Sequence, residues 1–229
     1  MIVSIVAGAG KGIRMQNGNT NKLFINIGGK PILFYTLKRL DECESIDEIY
    51  LVLDKESIQT KLKEIQEFKI KKLKKIISGG TTRGESVYNG LKELKNDTEL
   101  VVIHDGARPF ISKNKIKEVI DVARTEDGAI LAIPIRDTLK ERRDNFISKT
   151  IHRDTIVRAQ TPQVFKYTLL KEAYEELGEK IGFSNTDDSY IMEKYGYRIK
   201  IVNGEDKNIK ITTPFDLKLA EIILKEEDI

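Results

Sequence analysis

The chain has 229 residues, with 39 Lys and Arg against 36 Asp and Glu, 40% hydrophobic residues and one Cys. This length suits one large domain or two small ones, and a single Cys excludes a domain built on internal disulfides and favours a reducing, cytoplasmic setting. The net charge of +3 gives no indication of a nucleic-acid-binding or membrane-binding surface. No apolar run reaches the roughly 20 residues that a membrane helix needs.

Short β-branched segments alternate with longer segments of helical periodicity, which is the pattern of βαβ units. Strands are predicted at residues 2–7, 48–53, 74–78, 100–104, 129–133 and 198–202. Helices are predicted at residues 31–41, 57–68, 83–94, 113–124, 168–177, 187–195 and 214–225. The segment ending at Ala7 is expected to be a strand and not a signal peptide, because it lacks a basic start. The sequence therefore predicts one α/β domain over residues 1–229 with a mostly parallel sheet.

One polar segment, residues 136–158, interrupts this alternation. Stretches of period 2 flank a polar turn at Arg143-Asp144-Asn145, and this pattern predicts a β-hairpin arm. Two strands alone are barely stable in water. We therefore expect the arm to pack on a partner surface, most simply that of a second subunit.

A glycine-rich loop follows the first strand. It consists of Gly8-Ala9-Gly10-Lys11-Gly12-Ile13-Arg14, and Lys22 follows it. Backbone N–H groups at glycines can surround phosphate oxygens, and the cations can neutralise them. The loop fits neither a P-loop, because Gly12 follows Lys11, nor a dinucleotide fingerprint, because Ile13 replaces the third glycine. A plain glycine turn with surface cations remains the alternative to a phosphate site.

Other chemistry-bearing residues also follow predicted strands. Gly80 and Ser86 belong to a connection at the carboxyl edge of the sheet, where α/β folds bind ligands, although it could be a plain connection. Asp105 could hold a metal ion or a ribose hydroxyl, or it could pair with Arg108 to stabilise the turn. His104 is expected to be a packed strand-end residue, because no Ser or Cys nucleophile is recognisable beside it.

The last third of the chain adds one candidate cation. Lys210 is expected on a short strand near the same edge, with a solvated surface cation as the alternative. For residues 158–163 the plain interpretation is a Pro-stiffened loop. Thr213 and Pro214 are predicted to form the cap and first turn of the last helix. With one Cys and two His, the chain lacks the ligands of a structural zinc site.

Several of these clusters, taken in order, resemble the 2-C-methyl-D-erythritol 4-phosphate cytidylyltransferase family of isoprenoid precursor synthesis. The resemblance covers essentially the whole chain and rests on residues 10–15, Arg83, residues 86–91, 104–109, 160–163, 186–188 and 208–214. It implies a single-domain nucleotidyltransferase with a Rossmann-like, mostly parallel sheet and a protruding β-hairpin arm for dimerisation. One departure is that Asn21-Lys22-Leu23 stands where the family usually has Pro-Lys-Gln.

Two alternatives to this family remain. The related ribitol-5-phosphate cytidylyltransferases share the first loop, the Gln-Thr-Pro-Gln segment and the late Lys, but they typically have Val where this chain has Ala107. They also lack the Ser-Val-x-Asn-Gly-Leu run that begins at Ser86. A non-catalytic nucleotide-binding module would keep the glycine loops but need not keep converging cations. The presence of four cations therefore favours an enzyme: Arg14, Lys22, Lys210 and Arg153.

The resemblance implies transfer of a cytidylyl group from CTP to methylerythritol phosphate in the non-mevalonate pathway. It implies that Arg14 and Lys22 hold the triphosphate and that Lys210 touches both substrates. Nucleotide contacts would come from Gly8, Ala9, Gly10, Gly12, Gly80, Ser86, Asp105 and Gly106.

The resemblance also implies partners for the chain. Asp105 and Arg108 would orient the ribose and the sugar alcohol, and Thr138 and Arg153 on the partner's arm would bind the 4-phosphate of a homodimer's shared site. Mg²⁺ would arrive with the nucleotide, held mainly by phosphate oxygens, with Asp105 as the candidate protein ligand. A cytoplasmic enzyme with no nucleic-acid or membrane partner is expected.

Overall fold

A seven-stranded sheet forms the centre of the computed structural model, which describes residues 1–10, 21–178 and 187–226. The strands, in chain order, are β1 (Ile2–Ala7), β2 (Asn26–Ile27), β3 (Lys30–Pro31), β4 (Glu48–Leu53), β5 (Leu73–Ser78), β6 (Leu100–Asp105), β7 (Gly128–Pro134), β8 (Leu139–Arg143), β9 (Phe146–Ile151), β10 (Val157–Lys166) and β11 (Ile199–Asn203). The central sheet has the order β11-β7-β10-β6-β1-β4-β5, and β2 with β3 forms a small separate ribbon.

Helices cover both faces of this sheet. They are α1 (Ile32–Asp41), α2 (Lys55–Glu67), α3 (Arg83–Lys92), α4 (Lys113–Ala123), α5 (Tyr167–Leu177), α6 (Asp188–Lys194) and α7 (Pro214–Glu226). Each strand and helix predicted from the sequence is present, with ends that differ by at most two residues. Ser112 caps α4, accepting a hydrogen bond from Lys115 N.

The interpretation of residues 158–163 as a loop is wrong, because these residues lie inside β10. This strand runs antiparallel between β6 and β7, with an irregularity between Ala159 and Gln163, and its Thr161–Pro162 peptide is cis. Polar residues and a proline are typical of a loop in sequence. Here Gln160, Thr161 and Gln163 are nevertheless buried, because their side chains bond to neighbouring segments.

Alternating residues of the central strands supply two separate cores. Val101 and Ile103 of β6 pack in one core with α3, α5 and α6, while Leu100 and Val102 pack in the other with α1, α2, α4 and α7. Side chains alternate between the faces of a strand, so a strand buried on both faces is apolar throughout. The apolar run at residues 100–103 is therefore that of a strand covered on both faces.

The strand order places a switch point beside β1. The chain passes from β1 to β4 and β5 on one side, then returns to β6 on the other side, and all these neighbours are parallel. The carboxyl ends of strands at such a point leave a crevice in which α/β proteins bind ligands. Gly8, Asp54, Gly79 and Asp105 stand at these ends.

The predicted arm is a two-stranded hairpin of β8 and β9. Asp144 has a positive φ of 54° in its tight turn, a conformation that Asp tolerates better than most residues. Phe146 and Ile147 are 79% and 67% exposed. Across the described residues, no helix is long and apolar enough to span a bilayer.

Candidate active site

A cleft of about 830 Å³ opens at the carboxyl ends of β1, β4, β5 and β6. Eight of the residues predicted from the sequence line it: Gly8, Ala9, Gly10, Lys22, Gly80, Ser86, Asp105 and Lys210. The cleft therefore joins the first glycine loop, the second glycine cluster and the late lysine, which are far apart in the sequence.

Glycines bring the walls of the cleft close together. A Cβ atom at Gly8 would lie 2.8 Å from side-chain atoms of both Leu23 and Leu53. A Cβ at Gly79 would meet Ala9 and would lie 2.9 Å from Ser86 Oγ. Side chains at these two positions would force the walls apart, so the narrow cleft requires glycine here.

The second glycine cluster is held by the start of α3. Thr82 and Glu85 form a capping box, and Glu85 also accepts hydrogen bonds from the backbone and hydroxyl of Thr81. Ser86 Oγ accepts a hydrogen bond from Gly80 N at 3.1 Å and donates one to Thr82 O at 2.8 Å. Ser86 is thus a buried brace of the loop, and its hydroxyl is already engaged.

Asp105, at the end of β6, forms ion pairs with three cationic side chains. Lys210 Nζ lies 2.8 Å from its Oδ2, Arg83 Nε lies 3.5 Å from Oδ1, and Arg108 Nε lies 3.5 Å from Oδ2. Burial alone would raise the pKa of Asp105, but the charges of these three groups outweigh it and hold that pKa well below its usual range. The carboxylate is therefore ionised at neutral pH and surrounded by positive charge.

Arg83 links this carboxylate to α6. Its guanidinium donates to Asp188 Oδ2 at 2.7 Å, and Asp188, which is fully buried, also accepts a hydrogen bond from Tyr174 OH at 2.6 Å. Burial would lower the pKa of Arg83, but Asp188 and Asp105 more than compensate and raise it. Sequence reasoning gave Arg83 no role, although it opens a helix directly after the second glycine cluster.

His104 is the packed strand-end residue that the sequence predicted. It is fully buried, its Nε2 lies 3.0 Å from Arg108 O, and its Nδ1 lies 3.0 Å from Thr161 Oγ1. Because a carbonyl oxygen only accepts, Nε2 carries the proton, and Thr161 donates to Nδ1 while accepting from Asp105 N. Burial lowers the pKa of His104 to about 4.

Lys22 reaches the segment that carries Lys210. Its Nζ donates to Ile211 O at 2.7 Å, and Ile211 N donates to Ala107 O at 2.9 Å. Lys210 lies in an irregular segment and not on the strand expected for it. The segment is held by single hydrogen bonds and not by strand pairing: the Asn208 side chain donates to Thr161 O, and Ile211 N donates to Ala107 O.

Other residues predicted for the site do not line the cleft. The N–H of Gly106 donates to Ala7 O, and its carbonyl accepts from Thr36 Oγ1. Arg108 donates to Asn208 O. Neither residue lines the cleft. Thr138 and Arg153 are exposed at the base of the arm, where Arg153 donates to Arg136 O. Gly12 and Arg14 lie outside the described residues.

Several lining residues were missed by the sequence reasoning. Asp54 and Lys55 follow β4, and Thr212 follows Lys210. Asp54 could have been predicted to line the cleft. It directly follows β4, which was predicted correctly and lies beside β1, the strand that leads into the glycine loop. Asn21 was noted only as a departure from a family pattern, and its buried side chain was not anticipated.

Comparison with known proteins decides the family. The family model for 2-C-methyl-D-erythritol 4-phosphate cytidylyltransferase matches residues 2–226. The chain belongs to this family. The protein of that name from Caldanaerobacter subterraneus subsp. tengcongensis is 41% identical over 227 residues, which cover 98% of this chain and 99% of the relative. The one from Clostridium perfringens is 43% identical over 226 residues, covering 98% and 99%.

Solved structures agree with this membership. The crystal structure of 4-diphosphocytidyl-2C-methyl-D-erythritol synthase from Anaerococcus prevotii superposes with a TM-score of 0.85 at 35% identity, covering 98% of this chain and 96% of that one. The family enzyme from Thermus thermophilus superposes with a TM-score of 0.79 at 28% identity, covering 97% and 98%. The single-domain α/β fold predicted from the sequence is therefore confirmed.

Proposed function

We propose that this chain transfers the cytidylyl group of CTP to 2-C-methyl-D-erythritol 4-phosphate in isoprenoid precursor synthesis. The products are 4-diphosphocytidyl-2-C-methyl-D-erythritol and pyrophosphate. The observation that carries the proposal is the convergence of Lys22, Lys210 and Asp105 in one glycine-walled cleft of a chain from this family.

The reaction needs charge neutralisation more than proton transfer. A phosphate monoester is largely dianionic at neutral pH because its second pKa is about 6, so the attacking oxygen carries no proton to remove. The buried His104, with both ring nitrogens engaged, is not required as a base. The barrier comes from repulsion between two anions and from charge at the α-phosphate, which positioned cations relieve.

We assign the cations by their place in the cleft. Lys22, together with Arg14, would hold the triphosphate and stabilise the charge that develops at the α-phosphate. Lys210 would leave Asp105 and bind phosphate oxygens of both substrates. Its Nζ lies 2.8 Å from that carboxylate inside the cleft, so the movement would be short. Asp105, still paired with Arg83, would then accept hydrogen bonds from hydroxyl groups of the substrates.

The glycine walls would select the base. Gly8, Gly80 and Ser86 line one part of the cleft, and a side chain at Gly8 would collide with Leu23 and Leu53. A narrow pocket with fixed backbone groups fits a pyrimidine and excludes a purine. The remaining loop residues, Ala9 and Gly10, would contact the phosphates through their backbone.

Mg²⁺ is the metal that we expect with the nucleotide. Among the described residues, no group of three or more His, Cys, Asp or Glu could hold a metal ion, and Asp105 is engaged by cations. These residues fit an ion held mainly by phosphate oxygens and water, with Asp105 as at most one protein ligand. When bound, Mg²⁺ would neutralise the departing pyrophosphate.

We also propose that the arm completes the site of a second subunit in a homodimer. Phe146 and Ile147 are large apolar residues held in contact with water on a ribbon of two strands, which is barely stable alone. Thr138 and Arg153 at its base would bind the 4-phosphate of the neighbour's substrate, Arg153 with two parallel hydrogen bonds. The single cysteine, Cys43, is buried and unpaired, which suits a cytoplasmic enzyme.

The decisive experiment measures pyrophosphate release by the purified protein. It should be supplied with CTP, Mg²⁺ and, in separate reactions, 2-C-methyl-D-erythritol 4-phosphate or ribitol 5-phosphate. Release with the erythritol substrate and little with ribitol 5-phosphate is expected. Faster release with ribitol 5-phosphate would reassign the substrate, and CTP binding without release from either would reject an enzyme.

A further inference from the structure

We infer that Asn21 is a positioning residue for Lys22, through side-chain hydrogen bonds that fix the turn carrying this lysine. The inference deepens the proposed function, because it rests on Lys22 acting on the triphosphate. It concerns the position at which this chain departs from the family's usual Pro.

All polar atoms of the Asn21 side chain are used. Its Nδ2 donates to Gly8 O at 2.8 Å and to Asp54 Oδ2 at 2.9 Å, and its Oδ1 accepts from Leu23 N at 3.1 Å. The side chain is 7% exposed. One buried amide therefore joins the end of β1, the residue that caps α2 and the turn that contains Lys22.

Leu23 and Phe24 of this turn pack into the core, and Asn21 fixes where the turn begins. Lys22, Leu23 and Phe24 form a single 3₁₀ turn whose N-cap is Asn21, and so short a helix has few internal hydrogen bonds. The cap bond to Leu23 N sets the direction in which the turn leaves the chain. The two bonds donated by Nδ2 set its distance from the cleft walls at Gly8 and Asp54.

The anchoring points of Asn21 are themselves parts of the cleft. Gly8 and Asp54 line it, as does Lys22. Asp54 is held in turn by Ser57, whose N and Oγ donate to it at 2.8 Å and 2.6 Å. The backbone that carries Lys22 is thus tied to Gly8 and Asp54 by one side chain, while the lysine head group bonds to Ile211 O. Proline at this position could not form these two bonds, because its ring carries no donor or acceptor.

A merely structural role predicts a different outcome from a positioning role. If Asn21 only stabilised the fold, its loss would lower the melting temperature and leave the turnover of the folded enzyme alone. If it positions Lys22, its loss lowers turnover only while Lys22 is present. Displacing a group in an active site by about 1 Å can cost on the order of 100-fold in rate.

The experiment is a double-mutant cycle between Asn21→Ala and Lys22→Ala, measured as kcat and as KM for CTP in the full-length enzyme. Asn21→Ala should lower kcat about 10- to 100-fold, with KM for CTP changed far less. In the Lys22→Ala background, the same change should lower kcat less than about threefold, since coupled residues are not additive. An equal fold-loss in both backgrounds, or wild-type kcat for Asn21→Ala, would overturn the inference.

Two further variants complete the design. Asn21→Ser keeps a good N-cap residue but is too short to hold both anchoring points, so it should retain the fold and still lose turnover; wild-type kcat here would also overturn the inference. Ser112→Ala is the matched control, because it removes the equivalent N-cap hydrogen bond at the start of α4, and Ser112 does not line the cleft. It should lower the melting temperature and leave kcat within about twofold of wild type.

Failure of this inference differs from failure of the proposed function. A wild-type enzyme that releases no pyrophosphate, or a Lys22→Ala enzyme with unchanged kcat, would reject the assigned reaction or the role of Lys22. An active wild type with an impaired Lys22→Ala variant and an unimpaired Asn21→Ala variant would reject the positioning role alone.

Discussion

Lys210 Nζ and Asp105 Oδ2 lie 2.8 Å apart, and this carboxylate is also the shared partner of Arg83 and Arg108. Removing one member of a buried charge cluster leaves the others uncompensated. The pair therefore holds the cations of the cleft together while no phosphate is present.

Asp105→Asn should consequently lower both stability and activity. We expect a loss of about 3–5 kcal/mol in the free energy of unfolding and a fall of about 10- to 100-fold in kcat/KM, because charged hydrogen bonds are lost. Denaturant unfolding and pyrophosphate release measure the two effects. Asp121→Asn is the matched control, since Asp121 pairs with Lys117 on an exposed surface and should change neither quantity appreciably.

The buried neutral His104 predicts a pH dependence of stability. Its folded pKa of about 4 lies below the ordinary histidine pKa of 6.5, so between these values the unfolded chain binds a proton that the folded chain does not. Stability is therefore lost as pH falls from 7 towards 5, by about 2 kcal/mol from this group. Denaturant unfolding at several pH values measures the slope.

Substituting each histidine in turn shows which one causes this dependence of stability on pH. His104→Gln should flatten it between pH 7 and 5, even though the variant is less stable at neutral pH. The chain has one other histidine, His152, whose side chain is 86% exposed. His152→Gln should keep the slope of the wild type, and a slope that survives His104→Gln would contradict the assignment.

The sheet was predictable because its strands are apolar on both faces, as Leu100 to Ile103 illustrate. The carboxyl-edge location of the cleft followed from that prediction together with the glycines. The polar strand β10 was missed because the partners that bury Gln160 and Gln163, such as Asn208 and Asp187, are distant in sequence. The same reason hid Arg83, whose importance depends on a buried carboxylate more than 100 residues further along the chain.

Lys22→Ala should lower turnover far more than it weakens CTP binding. A cation directed at the α-phosphate interacts most strongly once charge builds up there, so its loss affects the transition state more than the bound nucleotide. We expect a fall on the order of 100- to 1000-fold in kcat. Steady-state kinetics and CTP titration measure the two quantities, with Lys117→Ala, at an exposed helix position, as the control. Equal losses in both would contradict the role.

Base selection should follow the narrow glycine walls. CTP is expected to be used well, UTP poorly, and ATP or GTP hardly at all, because a wrong base leaves buried polar groups unpaired and a purine does not fit. Pyrophosphate release with each nucleotide at equal concentration measures the preference. Equal rates with CTP and GTP would show that Gly8, Gly80 and Ser86 do not form the base pocket.

The arm gives the last prediction, which concerns the 4-phosphate. Arg153→Ala should raise KM for the sugar phosphate and leave CTP affinity unchanged. The 4-phosphate loses a bidentate arginine contact, whereas the nucleotide loses no contact. Initial rates with either substrate varied measure this difference. Arg143→Ala, near the tip of the same arm, is the matched control and should leave both constants unchanged.

Mixing subunits then tests whether the arm crosses to the neighbour. In a heterodimer of one Arg153→Ala chain and one Lys22→Ala chain, crossed arms place both lesions in one site and leave the other site intact. If each arm serves its own subunit, both sites carry one lesion. At a sugar-phosphate concentration well below the raised KM of the Arg153→Ala variant, crossed arms therefore predict that two weakly active variants recover activity on mixing, up to about half of the wild-type rate per heterodimer. If native mass spectrometry finds the heterodimer and activity does not return, each arm serves its own subunit, and the cytidylyl transfer itself is unaffected by that result.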